Sequence, residues 1–148
     1  MNNFLIKTIV KESSIPNAGI GRFFDEDCKA NTIIRQQKIN SKSLKMIKLK
    51  EIDNLIYLSK FGHTAPENCK LYNMDIFVNM PPNNTNHSKQ PNIFYIFDEN
   101  YKYTVTLKDV KKNDEMLQDY TTFKKIDWFE NLLNENNLLS PRQFALSL

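Results

Sequence analysis

Glycine is almost missing from this chain: three residues in 148, at Gly19, Gly21 and Gly62. Two of the three sit in one early loop, where a turn or a close backbone approach must be needed. The loop is not a dinucleotide fingerprint, because Phe24 stands where a third glycine would fall and no long helix pattern follows. Cysteine is as scarce, with Cys28 and Cys69 far apart. Without a CxxC pair, and with only His63 and His87, no zinc-ligand spacing exists, and two free thiols in a reducing setting are expected. No apolar run reaches membrane-spanning length, and Lys7 interrupts Phe4-Leu5-Ile6, so neither a transmembrane helix nor a signal-peptide core is expected. The net charge of +3 is too small to mark a nucleic-acid surface. These absences leave an intracellular, cytoplasmic protein without membrane or nucleic-acid partners as the expectation.

What is present is a short polar loop that runs straight into an apolar strand. Asn86-His87-Ser88-Lys89-Gln90-Pro91-Asn92 is followed by Ile93-Phe94-Tyr95-Ile96-Phe97. A strand this apolar belongs in a core. Pro91 fixes its own φ and pushes Gln90 toward an extended shape, so the loop should be stiff. Taken alone, the loop reads as an Asx turn at Asn86.

The remaining pattern is that of a mostly β chain. Residues 4–12, 22–24, 32–37, 69–80 (through Leu71-Tyr72 and Ile76-Phe77-Val78), 93–97, 101–107 and 115–120 read as strands, with a hairpin turn at Asp98-Glu99-Asn100. Residues 43–61 show helical spacing at Leu44, Ile47, Leu55 and Leu58, with Glu51 and Asp53 early in the second half and Gly62 placed to end the helix. Lys42, Lys45 and Lys48 would share a side of it, a solvated face or a weak case for a basic nucleic-acid-binding domain. Residues 125–136 form a second helix with Ile126, Phe129, Leu132 and Leu133 on its apolar face. Pro141 opens a last short turn or helix.

Three constellations recur in a telling order: Gly19-Ile20-Gly21-Arg22, then Asn-His-Ser-x-x-Pro-Asn at 86–92, then Glu115-x-x-x-Asp119-Tyr120. Individually they are a tight turn, a polar loop and a core-edge tyrosine. Together they resemble the SET-domain family of protein lysine methyltransferases over roughly residues 7–123. The resemblance implies a fold of short β-sheets with inserted and C-terminal helices and a C-terminal pseudoknot. It implies one domain over 1–148, with a helical segment at 124–148. It implies S-adenosylmethionine as cofactor, held at Gly19, Ile20, Gly21, Arg22, Asn86 and His87. Tyr120 becomes the catalytic tyrosine, and the partner a protein or peptide bearing a lysine.

The chain departs from the family pattern at four places. Asn31 and Asn113 stand where glycine is usual, and Asn84-Thr85 replaces an apolar pair before Asn-His-Ser. No cysteine cluster follows Tyr120, so the helix around Trp128 and Phe129 is expected to close the site. A catalytically inactive SET-like interaction module is the alternative the sequence leaves open.

Overall fold

The computed structural model describes residues 3–47 and 54–148. The chain runs β1 (Thr8–Glu12), β2 (Ile20–Phe24), β3 (Ile33–Lys38), β4 (Leu44–Ile47), α1 (Leu55–Phe61), β5 (Gly62–His63), β6 (Ile76–Asn79) and β7 (Asn86–His87). It continues through β8 (Ile93–Phe97), β9 (Tyr101–Thr106), β10 (Leu117–Gln118), a 3-10 turn at Tyr120–Thr122, α2 (Asp127–Glu135) and α3 (Pro141–Leu146). The strands form four small sheets: β1-β2, β3-β9-β8, β4-β6-β5 and the parallel pair β10-β7.

The β8-β9 hairpin follows from local chemistry. Asp98 Oδ1 accepts the N–H groups of Asn100 and Tyr101 at 2.8 and 2.7 Å, which fixes the turn and the register Ile93↔Thr106 through Phe97↔Lys102. Alternation in β8 buries Ile93, Tyr95 and Phe97 and leaves Ile96 outside.

The pass of residues 115–118 between two distant segments sets the topology. On one side Met116 N–H donates to Arg22 O at 2.7 Å, and Phe23 bridges Glu115. On the other side Ser88 N–H donates to Gln118 O at 3.0 Å, and Asn92 N–H to Leu117 O at 3.0 Å. Asn92 also clamps the strand with its side chain, donating to Glu115 O at 2.8 Å and accepting from Leu117 N–H at 2.9 Å. The late segment is thereby threaded beside the Asn86–Asn92 loop, as the pseudoknot expectation requires.

Three expected elements come out differently. Residues 44–47 are not helical: Leu44 pairs with Asn79 and Ile47 with Ile76 in an antiparallel ladder, and this pairing overrides the local spacing. Among the described residues of the 43–61 stretch, only Leu55–Phe61 is helical, capped by Asn54, whose side chain accepts from Tyr57 N–H at 2.9 Å. Lys45 is exposed on β4 and Lys42 on the turn before it, so they share no helix face; Lys48, Glu51 and Asp53 lie outside the described residues. Leu71-Tyr72 is not a strand either. Tyr72 has φ 60°, and the carbonyls of Cys69 and Leu71 converge with Asn73 Oδ1 on Lys124 Nζ at 2.7–2.8 Å, holding a loop. The last strand is shorter than 115–120, because Asp119 caps a 3-10 turn beginning at Tyr120.

Asparagine does the work of the missing glycines. Asn17, Asn31, Asn84 and Asn113 all have φ between 58° and 79°. Asparagine tolerates this left-handed region better than most residues. The two asparagines at usual glycine positions, Asn31 and Asn113, are therefore accommodated substitutions.

The core falls into three apolar clusters. Phe24, Ile34, Ile93 and Met116 centre the first, Leu44, Phe77, Tyr95 and Phe123 the second. Leu58, Ile76, Phe129 and Leu133 centre the third, which docks α2 on α1 and β6.

Candidate functional site

A cavity of about 950 Å³ opens between the Ile15–Ile20 segment, β7, α1 and the C-terminal segment. That volume lies at the upper end for ligand pockets. Asn86 and His87 line it from β7, Ile20 from β2, and Tyr120 from the 3-10 turn. Two loops about 65 residues apart in sequence thus meet on one site, and Tyr120 joins them. Asn86 makes the contact itself: its Nδ2 donates to Ile20 O at 3.1 Å and to Glu115 Oε2 at 3.1 Å.

The glycine-loop residues divide. Ile20 lines the cavity with Asn17 and Ala18 beside it. Gly19 takes φ 75° at the turn. Gly21 makes room: a Cβ there would run into Glu115 Oε2 and lie 3.3 Å from Asn86 Nδ2. Arg22 turns its side chain away from the cavity. It is buried, donates from Nε to Asn83 O and from Nη1 to Thr8 Oγ1, both at 2.7 Å, and lies over the Phe4 ring. The side chain of Arg22 is thus a core strut, because two acceptors inside the fold hold it there.

His87 is held in one tautomer. Its Nδ1 accepts the backbone N–H of Tyr120 at 3.0 Å, so the ring proton belongs on Nε2. Asp119 Oδ1 is 3.7 Å from the same Nδ1, a contact that is an ion pair only for a protonated ring. Burial lowers the His87 pKa more than Asp119 raises it, with Lys89 adding to the lowering, which agrees with the neutral form. Ser88 N–H faces β10, so strand alternation turns the His87 N–H and C=O away from β10.

Tyr120 presents its ring to an aromatic box. It stacks on Phe123 (centroids 5.5 Å, 15°), Phe123 stacks on Tyr95 (6.2 Å, 10°), and His63 lies 5.2 Å from Tyr95. The Tyr120 hydroxyl donates to Thr85 O at 2.5 Å. Burial, with Tyr95 nearby, raises its pKa, so it stays a protonated dipole and not a base. Thr85 also accepts from Gln118 Nε2 at 3.0 Å. The polar residue in place of an apolar one is thus used for hydrogen bonds to the site's own elements.

Behind the box lies a buried polar cluster. Lys102 Nζ donates to Asn79 Oδ1 at 2.7 Å, sits 3.0 Å from His63 Nε2 and 3.8 Å from the Tyr95 ring centroid. Asn83 links the cluster to the cavity, bonding to Arg35 Nη1 through Oδ1 and to the Tyr95 hydroxyl through Nδ2 at 2.7 Å. Among the described residues, no Asp or Glu lines the cavity.

The expected closing helix is not the one that closes it. Ile126 at the N-cap of α2, with Phe129 and Leu133 of the helix, is spent on the core against α1 and β6, and Leu132 is half-buried. The cavity wall comes instead from α3 and its flanks: Leu139, Pro141, Phe144 and Leu148. Arg142 pins α3 to α2 through Glu130, with bonds of 2.8 and 2.7 Å. Pro141 marked that helix in the sequence, but a short helix with a half-exposed phenylalanine carries no signal of where its face lands. Tyr95 could have been read as a site residue from its inward place in β8; His63 and Phe123 gave no such signal, and Glu115 stood out only as the acidic residue of the Glu-x-x-x-Asp-Tyr string.

No protein-family model matches the sequence, and no curated protein does. Solved structures do match. A candidate histone methyltransferase of Plasmodium falciparum shares 23% identity at a TM-score of 0.54, over 78% of this chain and 93% of its own. CpSET8 of Cryptosporidium shares 19% at 0.52, over 76% of this chain and 56% of its own. Chaetomium thermophilum Polycomb Repressive Complex 2, in an autoinhibited conformation bound to S-adenosylmethionine, shares 17% at 0.59, over 93% of this chain and 19% of that one. At these identities the shared property is the fold.

Proposed function

The chain has the SET-domain fold, and we propose from it that the protein is an S-adenosylmethionine-dependent protein lysine N-methyltransferase acting inside the cell on a lysine-bearing protein or peptide. The observation that carries the reading is the convergence of Ile20, Asn86, His87 and Tyr120 on one cavity that ends in the Tyr95–Phe123–Tyr120 box.

The donor set fits the cofactor. Asn86 has its amide hydrogens committed within the fold, leaving Oδ1 for a ligand, while His87 turns its main-chain groups away from β10. These two, with Ile20 and the adjoining loop, would hold it; Gly19 and Gly21 shape that loop. When bound, S-adenosylmethionine supplies an activated methyl group on a positively charged sulfur.

The chain's own residues then do three things. Tyr95, Tyr120 and Phe123 line the cavity with a stack of aromatic rings, against which an entering side chain would be aligned. Among the described residues the cavity has no carboxylate to offer an ammonium, which favours the neutral amine, the nucleophilic form. The Tyr120 hydroxyl, fixed at Thr85 O, and nearby carbonyls can orient that amine and contact a polarised methyl through weak CH···O bonds.

Calorimetry with S-adenosylmethionine, followed by transfer of labelled methyl to the proteins of a lysate, tests this. Binding with transfer to lysine is expected. Binding without transfer in any lysate moves the protein to the non-catalytic module, and no binding overturns the reading.

A further inference from the structure

Glu115 receives more hydrogen bonds than any ordinary loop carboxylate needs. Its Oε2 accepts from Ser13 Oγ at 2.7 Å and Asn86 Nδ2 at 3.1 Å. Its Oε1 accepts from Ser14 N–H at 2.9 Å and Ser14 Oγ at 2.6 Å. Ser13 is 102 positions away in sequence and Asn86 is 29, so one buried side chain ties three remote segments together. Four donors on two oxygens suit an ionised carboxylate, which accepts only.

The surroundings are built for this contact. Gly21 lacks the Cβ that would strike Glu115 Oε2. Asn86 shares its amide between Glu115 and Ile20 O, which closes a ring from Ser13 through Glu115 and Asn86 to β2. Met116 N–H and the Phe23 bridge fix the main chain on either side of the carboxylate. Burial by itself would raise the Glu115 pKa; the bonds from Ser14, Ser13 and Asn86 outweigh it and hold the pKa below the ordinary value.

We propose that Glu115 is the positioning residue of the cofactor site, latching the Ser13–Gly21 segment to Asn86 so that both faces of the cavity mouth keep one spacing. The inference rests on the reading of that cavity as a cofactor site. Glu115 itself need not touch the ligand: without the latch, Asn86 is free to rotate and the 13–19 loop loses its anchor, and affinity falls through lost preorganisation.

The test is calorimetry with S-adenosylmethionine on the full chain, beside thermal melts. Glu115→Gln keeps the shape but puts an NH₂ donor among donors, and should raise Kd roughly tenfold, the scale of a lost charge-assisted hydrogen bond. Ser13→Ala with Ser14→Ala should raise it in the same direction. Leu133→Ala, in the α2 core, should lower the melting temperature with Kd unchanged, which separates positioning from general loss of stability. A double-mutant cycle adds a readout that a structural role would not move: Glu115→Gln on top of Asn86→Ala should cost little more than Asn86→Ala alone. Wild-type Kd in Glu115→Gln, or full additivity in the cycle, overturns the inference and leaves the cofactor site standing. If Glu115→Gln does not fold, unchanged Kd in the double serine variant overturns it. A wild-type chain that binds no S-adenosylmethionine removes both this inference and the reading beneath it.

Discussion

The backbone N–H of Tyr120 ends on Nδ1 of His87, 3.0 Å away. The bond joins the first residue of a 3-10 turn to a two-residue strand 33 positions earlier, and it needs the ring's lone pair. The tyrosine's position is therefore tied to the histidine's protonation state.

That tie has a pH signature. The chain holds two histidines, and both have depressed values in the fold: His87 mainly by burial, His63 more strongly by burial and then by Lys102. The unfolded chain takes up these protons near pH ~6.5 while the folded chain resists. Their contribution to stability is present above that pH and is lost as pH falls toward and through the folded values. Two ring resonances followed by NMR should titrate below ~6.5, His63 lower than His87. A His87 that titrates at or above the unperturbed value would show that Nδ1 does not hold the Tyr120 amide.

Gly21 tests how tightly the cavity mouth is set. An added methyl group would displace the Glu115 carboxylate and crowd Asn86 Nδ2, 3.3 Å from the new carbon. Gly21→Ala should cost about 1–3 kcal/mol of stability, the scale of overpacking a filled site. It should weaken S-adenosylmethionine binding in parallel. Unchanged melting temperature and affinity would mean that the carboxylate moves aside at no cost.

Much of this architecture was legible in local pattern. The hairpin announced itself by Asp98-Glu99-Asn100 between alternating strands, and α2 by Ile126, Phe129 and Leu133. The Asn86–Asn92 string and Tyr120 pointed to one site because a known family carries them in that order. What failed locally did so for long-range reasons. Leu44 and Ile47 are helically spaced with Leu55 and Leu58, yet their ladder with β6 wins. Leu71-Tyr72 alternates well enough, yet Lys124, over 50 positions on, gathers its carbonyls into a loop. Glu115 stood in the sequence only as the acidic residue ahead of Asp119-Tyr120; its latching role did not show, because its four donors lie 29 to 102 positions away. The role of α3 depends on where Arg142 meets Glu130, which no periodicity encodes.

Lys102 carries a second pH signature, at the other end of the scale. It is 0% exposed, and among the described residues no carboxylate pairs with it. Burial, then Arg35, hold its pKa well below the ordinary lysine value. The unfolded chain keeps that proton up to about pH 10.5, so the unfolded state binds more protons than the folded one in the window between. Stability should rise with pH across it, by up to ~1.4 kcal/mol per unit. Urea unfolding at successive pH values above neutrality would show the slope, and Lys102→Met should flatten it. Equal slopes in the two proteins would show that the buried amine keeps its proton.

Tyr120 separates catalysis from binding. Its hydroxyl donates to Thr85 O at 2.5 Å, and its ring stacks on Phe123. Tyr120→Phe removes the hydroxyl and keeps the ring, so no large cavity opens and the stacked wall remains. The cost to folding should be about 1 kcal/mol, the net worth of the lost bond. Cofactor affinity should change little, because Asn86, His87 and Ile20 are untouched. Turnover should fall by roughly 10²-fold, the scale of losing one preorganised dipole at the reacting atoms. Labelled methyl transfer by the two proteins, normalised to cofactor bound, gives the comparison. Undiminished transfer in Tyr120→Phe would take the hydroxyl out of the reaction and leave the ring as a cavity wall. A fall in transfer matched by an equal fall in cofactor affinity would place the tyrosine in binding instead, since the dipole acts where the methyl moves and not where the cofactor is held.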